Sequence, residues 1–204
     1  KMVYTGYRER EDARGAPVAD HAIPFDRPYL LVTPGGGGDG EALVDWVLRA
    51  YEQDPNPAYP ALLVFGPFMQ QEKQAEFARR TADLDLVEAI TFEANIEPLI
   101  QGAAGIVAMG GYKPALVVPR TVPRMEQFIR ADRAQELGLL RMLTDDGIRD
   151  ARDMATALRH LPQQNRPSDV VVPGLLDGLP NVNRLARRLS SRRGTSIAAV
   201  AERG

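Results

Sequence analysis

The feature that most constrains this chain is a glycine-rich turn, residues 35–40, between a short apolar segment and an amphipathic one. Residues 29–33 are apolar and follow Pro28, which predicts a buried strand. Residues 41–53 carry apolar side chains at helical spacing. A strand that passes through glycines into a helix leaves main-chain N–H groups unpaired at the positive end of the helix dipole. Because glycine lacks the Cβ that would hold a ligand away, the turn predicts an anion site, above all for phosphate.

Two common nucleotide motifs do not explain this turn. Gly35, Gly37 and Gly40 match the dinucleotide fingerprint, but the second predicted strand ends at Phe65 and Gly66 without the carboxylate that binds a ribose. No Gly-Lys-Ser/Thr follows the glycines, so the Walker pattern is absent. We therefore expect a phosphate ligand that is not a nicotinamide dinucleotide. The candidate residues in the turn are Gly35, Gly36, Gly37, Gly38, Asp39 and Gly40.

Composition bounds the class of protein and its partners. With 204 residues, 44% of them hydrophobic and 25% charged, the chain suits one soluble domain with a tail. A net charge of −2 gives no general attraction to nucleic acid. The sequence contains no cysteine, which excludes disulfides and thiolate metal sites. No apolar run is long enough to span a membrane and no signal peptide is visible, so we expect a cytoplasmic protein. We expect it to use neither a metal nor a cofactor.

Strand and helix patterns alternate along residues 29–160. The predicted strands cover 29–33, 61–65, 86–92, 105–109, 115–119 and 139–143, and the predicted helices cover 41–53, 70–82, 95–102, 125–137 and 147–160. Because the strands are continuously apolar, the pattern predicts an α/β fold with a parallel sheet and helices on both faces. We expect residues 1–28 to form an interdomain hinge segment and residues 161–204 a C-terminal helical tail.

One connection breaks this rhythm. Only residues 110–114 separate the fourth and fifth predicted strands, whereas parallel neighbours ordinarily need a crossover of about a dozen residues or more. Either the fifth strand is antiparallel or distant, or a helix is missing from the sequence. We favour a missing segment, which an intact mass above 22.4 kDa would reveal.

Several glycine-rich or polar loops follow predicted strands. In a parallel sheet the carboxyl ends of the strands share one edge, where ligands bind. The loops expected at this edge are 34–40, Gly66-Pro67, 92–95, Gly110-Gly111 and 120–124. Their convergence, rather than any single loop, predicts the functional site.

The remaining polar features give weaker signals. His160 ends a predicted helix, which favours a cap or a surface residue, and His21 lies in the hinge segment without a metal-ligand partner. Asp145-Asp146-Gly147 is typical of a helix start, because acidic groups complement the dipole. A predicted helix near 181–192 is a solvated face or a surface for anionic lipid or phosphate, since it and its flank carry five arginines: Arg184, Arg187, Arg188, Arg192 and Arg193.

Six short segments resemble the C-terminal, donor-binding domain of GT-B glycosyltransferases, in particular family 28. They are residues 3–7, 31–34, 92–96, 110–112, 114–120 and 125–131, and the resemblance covers about 1–160. It implies a Rossmann-like domain that binds a nucleotide-sugar donor, a UDP-sugar in particular, and transfers a hexosyl group to an acceptor. It also implies an N-terminal acceptor domain, outside this sequence, that supplies the general base. The isolated chain is then expected to be inactive.

The resemblance also implies roles for individual residues. Phe92, Glu93 and Ile96 belong to the loop that meets the nucleotide base, and Gln127 with Glu126 orients the sugar. Arg130 stands where the family often has asparagine, which predicts a different sugar. Gly66, Gly110 and Gly111 complete the predicted donor site. No residue is assigned as catalytic.

One departure from the family coincides with the short connection noted above. The family has a helix after the segment that corresponds to Gly110-Gly111-Tyr112, and this helix carries a glutamate that binds the ribose. Here Lys113 and Pro114 follow Tyr112 directly.

Two other classes of function stay open at this point. The same scaffold suits a nucleotide-sugar epimerase or hydrolase. The glycine loops would also suit a non-enzymatic interaction module.

Overall fold

A sheet of six parallel strands organises the protein in its computed structural model, which describes residues 22–36, 38–109, 115–122, 125–170, 173 and 177–188. The strand order is β3-β2-β1-β4-β5-β6. The strands are Leu30–Thr33 (β1), Ala61–Val64 (β2), Val87–Ile90 (β3), Gly105–Ala108 (β4), Ala115–Val117 (β5) and Arg141–Met142 (β6). This is the order of a doubly wound Rossmann fold, and it confirms the predicted fold class.

Helices connect the strands in the predicted alternation. They are Glu41–Gln53 (α1), Gln71–Ala82 (α2), Glu97–Gly102 (α3), Glu126–Glu136 (α4) and Ala151–His160 (α5). Two 3₁₀ turns follow, Leu161–Gln163 and Pro167–Asp169. Each strand and each of the first four helices lies within about two residues of its predicted bounds.

The strands are apolar on both sides because helices cover both faces of the sheet. On one face, Leu30, Val32 and Leu63 pack with Trp46 of α1 and Met154 of α5. On the other face, a cluster around β1, β2 and β4 includes Leu99 of α3, and a separate cluster around β5 includes Ala131 of α4. This double burial explains why the strands lack the apolar–polar alternation of a half-exposed sheet.

The pairing of β4 with β5 excludes one of the explanations for the short connection between these strands. The two strands are parallel neighbours, with Ile106 opposite Ala115 and Ala108 opposite Val117. An antiparallel or distant fifth strand is therefore wrong. Residues 109–114 make the connection, and all of them except Met109 lie outside the described residues. The missing helix stays a prediction.

The predicted helix start at Asp145-Asp146-Gly147 is wrong, because α5 begins at Ala151 with Asp150 as its N-cap. The Asp150 side chain accepts a hydrogen bond from the Arg152 N–H. Gly147 and Arg149 have φ values of +83° and +53°, which a right-handed helix excludes. Asp146 instead accepts hydrogen bonds from the N–H groups of Ile148 and Arg149, and these bonds lower the pKa of its carboxyl group.

The described residues divide into two compact units, one within residues 22–170 and a second that includes residues 177–188. The first unit contains the sheet. In the second, residues 178–188 form a helix, α6, on which Arg184, Arg187 and Arg188 are exposed. Arg192 and Arg193 lie outside the described residues. No helix in the described part of the chain is long and apolar enough to cross a membrane.

Candidate functional site

The described loops that the sequence singled out follow β1, β2, β3 and β5 at the carboxyl edge of the sheet. The connections from β1 and β4 leave in opposite directions, since β1 leads to β2 and β4 leads to β5. The strand order therefore reverses between β1 and β4, and a doubly wound sheet binds ligands in the crevice at such a point. The glycine turn follows β1 and therefore lies at this point of the sheet.

The glycine turn enters α1 without a side-chain cap. Gly40 is the N-cap residue of α1, and its carbonyl accepts the first helical hydrogen bond from Val44, at 3.1 Å. Because Gly40 has no side chain, the N–H groups of the first helical turn receive no side-chain cap from it. Gly35, Gly36, Gly38 and Asp39 are exposed. The turn thus presents main-chain donors to solvent at the positive end of a 13-residue helix.

Close packing explains the glycine at position 40. A Cβ on Gly40 would lie 2.1 Å from the Cβ of Pro34, closer than real carbon atoms approach. Gly35 has φ +81°, which side chains with a Cβ rarely adopt, and its N–H donates to the Thr33 hydroxyl at 3.3 Å. The turn therefore needs glycine at both ends for its own conformation.

The turn after β2 packs against the turn after β1. The Phe68 N–H donates to the Gly36 carbonyl at 2.9 Å, and the Phe68 ring lies 3.1 Å from the position of a Cβ on Gly36. Phe68 is nevertheless 75% exposed, so it borders the glycine turn and leaves Gly36 open to solvent. Sequence reasoning missed Phe68, although it follows Gly66-Pro67, which was placed on this edge.

A charged pair joins the glycine turn to the loop after β5. The Arg120 guanidinium, after β5, forms an ion pair with the Asp39 carboxylate in the glycine turn. The main chain of Arg120 is held in turn by α4, because its N–H donates to the Gln127 Oε1 at 3.0 Å. Gln127 thus contacts the loop that carries Arg120. The sequence predicted the positions of Arg120 and Asp39 on this edge but not their pairing, since the two residues lie far apart in the sequence.

The loop after β3 is split between exposed and buried side chains. Phe92 is 49% exposed, whereas Glu93 is buried and its Oε1 accepts a hydrogen bond from the Asn95 N–H at 2.8 Å. Ile96 is the N-cap residue of α3 and packs on the core. β3 is an edge strand two positions from β1, so this loop lies about 10 Å from the glycine turn along the sheet.

The other predicted donor-site residues have mixed placements. Glu126 and Arg130 lie on the first turns of α4 and form an exposed ion pair at 2.5 Å. Gly66 is buried beside the glycine turn. Gly37, Gly110 and Gly111 lie outside the described residues. The roles of all these residues in binding a donor stay predictions.

Among the described residues, the histidine and the acidic groups form no second candidate site. His160 is exposed at the end of α5, as expected of a surface residue, and its Nδ1 lies 3.4 Å from the Gln163 Oε1. His21 lies outside the described residues. Within the described ranges, no group of three or more His, Cys, Asp or Glu side chains is placed to hold a metal ion.

Solved structures share this fold. CalG4, the calicheamicin glycosyltransferase, matches with a TM-score of 0.55 at 17% identity, over 85% of this chain and 44% of that one. The glycosyltransferase of kitacinnamycin matches with a TM-score of 0.55 at 16% identity, over 92% and 48%. The fold is that of one half of a GT-B glycosyltransferase.

The same fold also occurs in a second class of protein. A protein from Listeria monocytogenes assigned as a UDP-N-acetylglucosamine 2-epimerase matches with a TM-score of 0.50 at 12% identity, over 86% of this chain and 49% of that one. The chain thus spans about half the length of each of these neighbours. The sequence matches no family model and no curated protein. Membership of family 28 stays a prediction.

Proposed function

We propose that this GT-B chain is the nucleotide-sugar-binding domain of a glycosyltransferase, and that its donor is a UDP-sugar from which a hexosyl group is transferred. The observation that carries the proposal is the exposed, uncapped glycine turn between β1 and α1, at the point where the strand order reverses. Main-chain N–H groups at a helix start bind phosphate through hydrogen bonds and the helix dipole. The likeness to glycosyltransferases of the same fold supports this ligand class.

The chemistry follows from a diphosphate bound at this turn. The acceptor oxygen forms a bond to the anomeric carbon of the sugar as the bond from that carbon to the diphosphate oxygen breaks. The departing diphosphate takes the electron pair, and the N–H groups of the turn stabilise its growing negative charge. A base outside this chain takes the proton of the acceptor. No metal is required in this scheme.

The rest of the donor site is assigned to neighbouring loops. The loop with Phe92, Glu93 and Ile96 would hold the base, and Glu126, Gln127 and Arg130 would orient the sugar. Because an acceptor domain would supply both the acceptor site and the base, this chain alone is expected to bind the donor weakly and to transfer nothing. Closure of that domain would also exclude water. We place the protein in the cytoplasm, and contact of α6 with anionic lipid is a further expectation.

A thermal-shift screen tests the proposal. The chain is heated with millimolar UDP, GDP and dTDP, with their sugar conjugates, and with the matching nucleosides. A ligand that binds only the folded chain raises the unfolding midpoint, and a concentration of 100 times Kd stabilises by about 2.7 kcal/mol. We expect a rise with at least one nucleoside diphosphate, UDP first, and none with nucleosides. A flat response to all diphosphates would contradict the proposal.

Gly38→Ala provides a variant that tests the site itself. A Cβ there would lie 3.8 Å from the Phe68 Cβ, an ordinary contact, so the fold is kept while the turn gains a methyl group. We expect the ligand-induced shift to fall at least by half. Gly138→Ala is the control, because Gly138 follows α4 at the opposite edge of the sheet. It has φ +72°, so the substitution lowers the unliganded midpoint and leaves the shift unchanged.

An epimerase or hydrolase is the second candidate, and the Listeria protein of the same fold favours it. Release of free nucleoside diphosphate from a UDP-sugar without an acceptor would support the hydrolase. Conversion of the donor sugar without release would support the epimerase. A non-enzymatic module would show neither reaction and no diphosphate binding.

A further inference from the structure

The ion pair between Asp39 and Arg120 joins the loops that follow β1 and β5 at the carboxyl edge of the sheet. Asp39 belongs to the glycine turn after β1, and Arg120 follows β5. Because β4 lies between β1 and β5 in the sheet, the pair passes over the carboxyl end of β4. The strands that carry the two residues are about 10 Å apart, and the two side chains close that distance.

The main chain at Arg120 is fixed independently of this pair. Its N–H donates to the side chain of Gln127 in the first turn of α4. The guanidinium group therefore starts from a defined point and reaches toward the glycine turn. Arg130 is the next described arginine along the chain. It forms an ion pair with Glu126 on its own helix, and this pair does not direct its side chain toward the glycine turn.

We propose that Arg120 binds the diphosphate of the donor, and that Asp39 is its resting partner, which the diphosphate displaces. This inference rests on the proposed function. A guanidinium group binds carboxylate and phosphate through the same fork of parallel N–H donors, so the two anions compete for one cation. The diphosphate carries more negative charge than Asp39, and it also has the N–H groups of the turn as ligands.

The exposure of the pair makes displacement easy. The Arg120 and Asp39 side chains are 41% and 46% exposed, and ion pairs this exposed are weak because water screens them. Asp39 would thus keep Arg120 beside the glycine turn and release it readily to a ligand. The same carboxylate lowers the affinity of the site for any anion, because it competes for Arg120. A diphosphate overcomes this competition better than a monophosphate, since it carries more negative charge.

Calorimetric titration with UDP tests this division of roles in the whole 204-residue chain. We expect Arg120→Gln to weaken UDP binding at least tenfold, which is the loss of one charge-assisted contact. Arg120→Lys, which keeps the charge and loses the fork, should lie in between. Asp39→Asn should tighten UDP binding about threefold or more, and this gain should shrink when Arg120 is already Gln. UMP should respond less than UDP to every one of these changes.

Arg133→Gln is the matched control. Arg133 lies on α4 in an exposed ion pair with Glu136. Its substitution should leave the UDP affinity within twofold of the wild type. Unliganded unfolding midpoints establish that each variant folds. If the wild type binds UDP and Arg120→Gln binds it equally well, the inference is overturned and the proposed function stands. If the wild type binds none of UDP, GDP and dTDP, both are overturned.

Discussion

A Cβ on Gly66 would lie 2.4 Å from the carbonyl oxygen of Gly35. The turn after β2 therefore packs directly against the turn after β1. Gly66, at the contact, has φ +91°. Two loops that are far apart in sequence thus fix each other's main chains at the edge of the crevice. The shape of the predicted phosphate turn depends on this contact as well as on its own glycines.

Gly66→Ala is expected to destabilise the fold and to disturb the site together. A left-handed conformation costs a residue with a Cβ about 1–2 kcal/mol. The clash with Gly35 and Gly36 adds about 1–3 kcal/mol as the loops move apart. Urea denaturation measures the loss, and the UDP-induced thermal shift measures the damage to the turn.

Gly147→Ala is the control for this substitution. Gly147 has φ +83°, and a Cβ there would meet nothing within 4 Å. We expect only the conformational cost of about 1–2 kcal/mol, with an unchanged response to UDP. Equal losses of unfolding free energy in Gly66→Ala and Gly147→Ala would show that the contact between the turns does not contribute to stability.

Trp46→Phe is expected to cost about 2–4 kcal/mol of unfolding free energy. The Trp46 indole N–H donates to the Asp150 carbonyl at 2.7 Å, and the side chain is 2% exposed between α1 and α5. The smaller ring leaves a cavity and a carbonyl without its partner. Unfolding is followed by circular dichroism and not by tryptophan fluorescence, because Trp46 is the chain's one tryptophan and the variant lacks it. A loss below about 0.5 kcal/mol would contradict this account of how α5 is attached.

The buried hydroxyl group of Tyr51 is expected to make the fold less stable at alkaline pH. Burial raises the pKa of its hydroxyl, with a smaller contribution from the Asp54 carboxylate, and the hydroxyl donates to the Tyr59 carbonyl at 2.8 Å. The folded chain therefore holds this proton more tightly than the unfolded chain, whose tyrosines titrate near pH 10. The stabilisation is complete below that pH and is lost as the pH rises toward the higher folded-state pKa.

Comparison with Tyr51→Phe isolates this effect. The variant lacks the ionisable group, so the wild type should lose about 1.4 kcal/mol more per pH unit above pH 10 than the variant does. Denaturant unfolding from pH 8 to 11.5 measures both curves. Parallel curves over this range would refute the assignment.

Local patterns in the sequence were enough to predict most of the elements. The bounds of α1 follow from apolar spacing between Gly40 and the Asp54-Pro55 turn, and the parallel arrangement follows from strands as apolar as Leu30–Thr33. The start of α5 was misjudged because Asp146 and Asp150 are both good N-caps. The φ values of Gly147 and Arg149 decide between them, and spacing does not encode those angles.

Long-range contacts at the site were beyond the reach of sequence patterns. The sequence placed Asp39 and Arg120 on one edge, but their pairing depends on β4 lying between β1 and β5. Likewise, glycines at 40 and 66 are explained by Pro34 and by Gly35, contacts that exist only in the folded chain. A resemblance to a family supplied donor-binding roles, and these remain to be tested.

Nuclear magnetic resonance of the ¹⁵N-labelled chain titrated with UDP tests the central claim most directly, because it locates the diphosphate on individual N–H groups. The account predicts that the largest amide shifts occur at Gly36, Gly38 and Glu41, where the glycine turn enters α1. Saturable shifts confined to another part of the chain, with these amides unmoved, would contradict it.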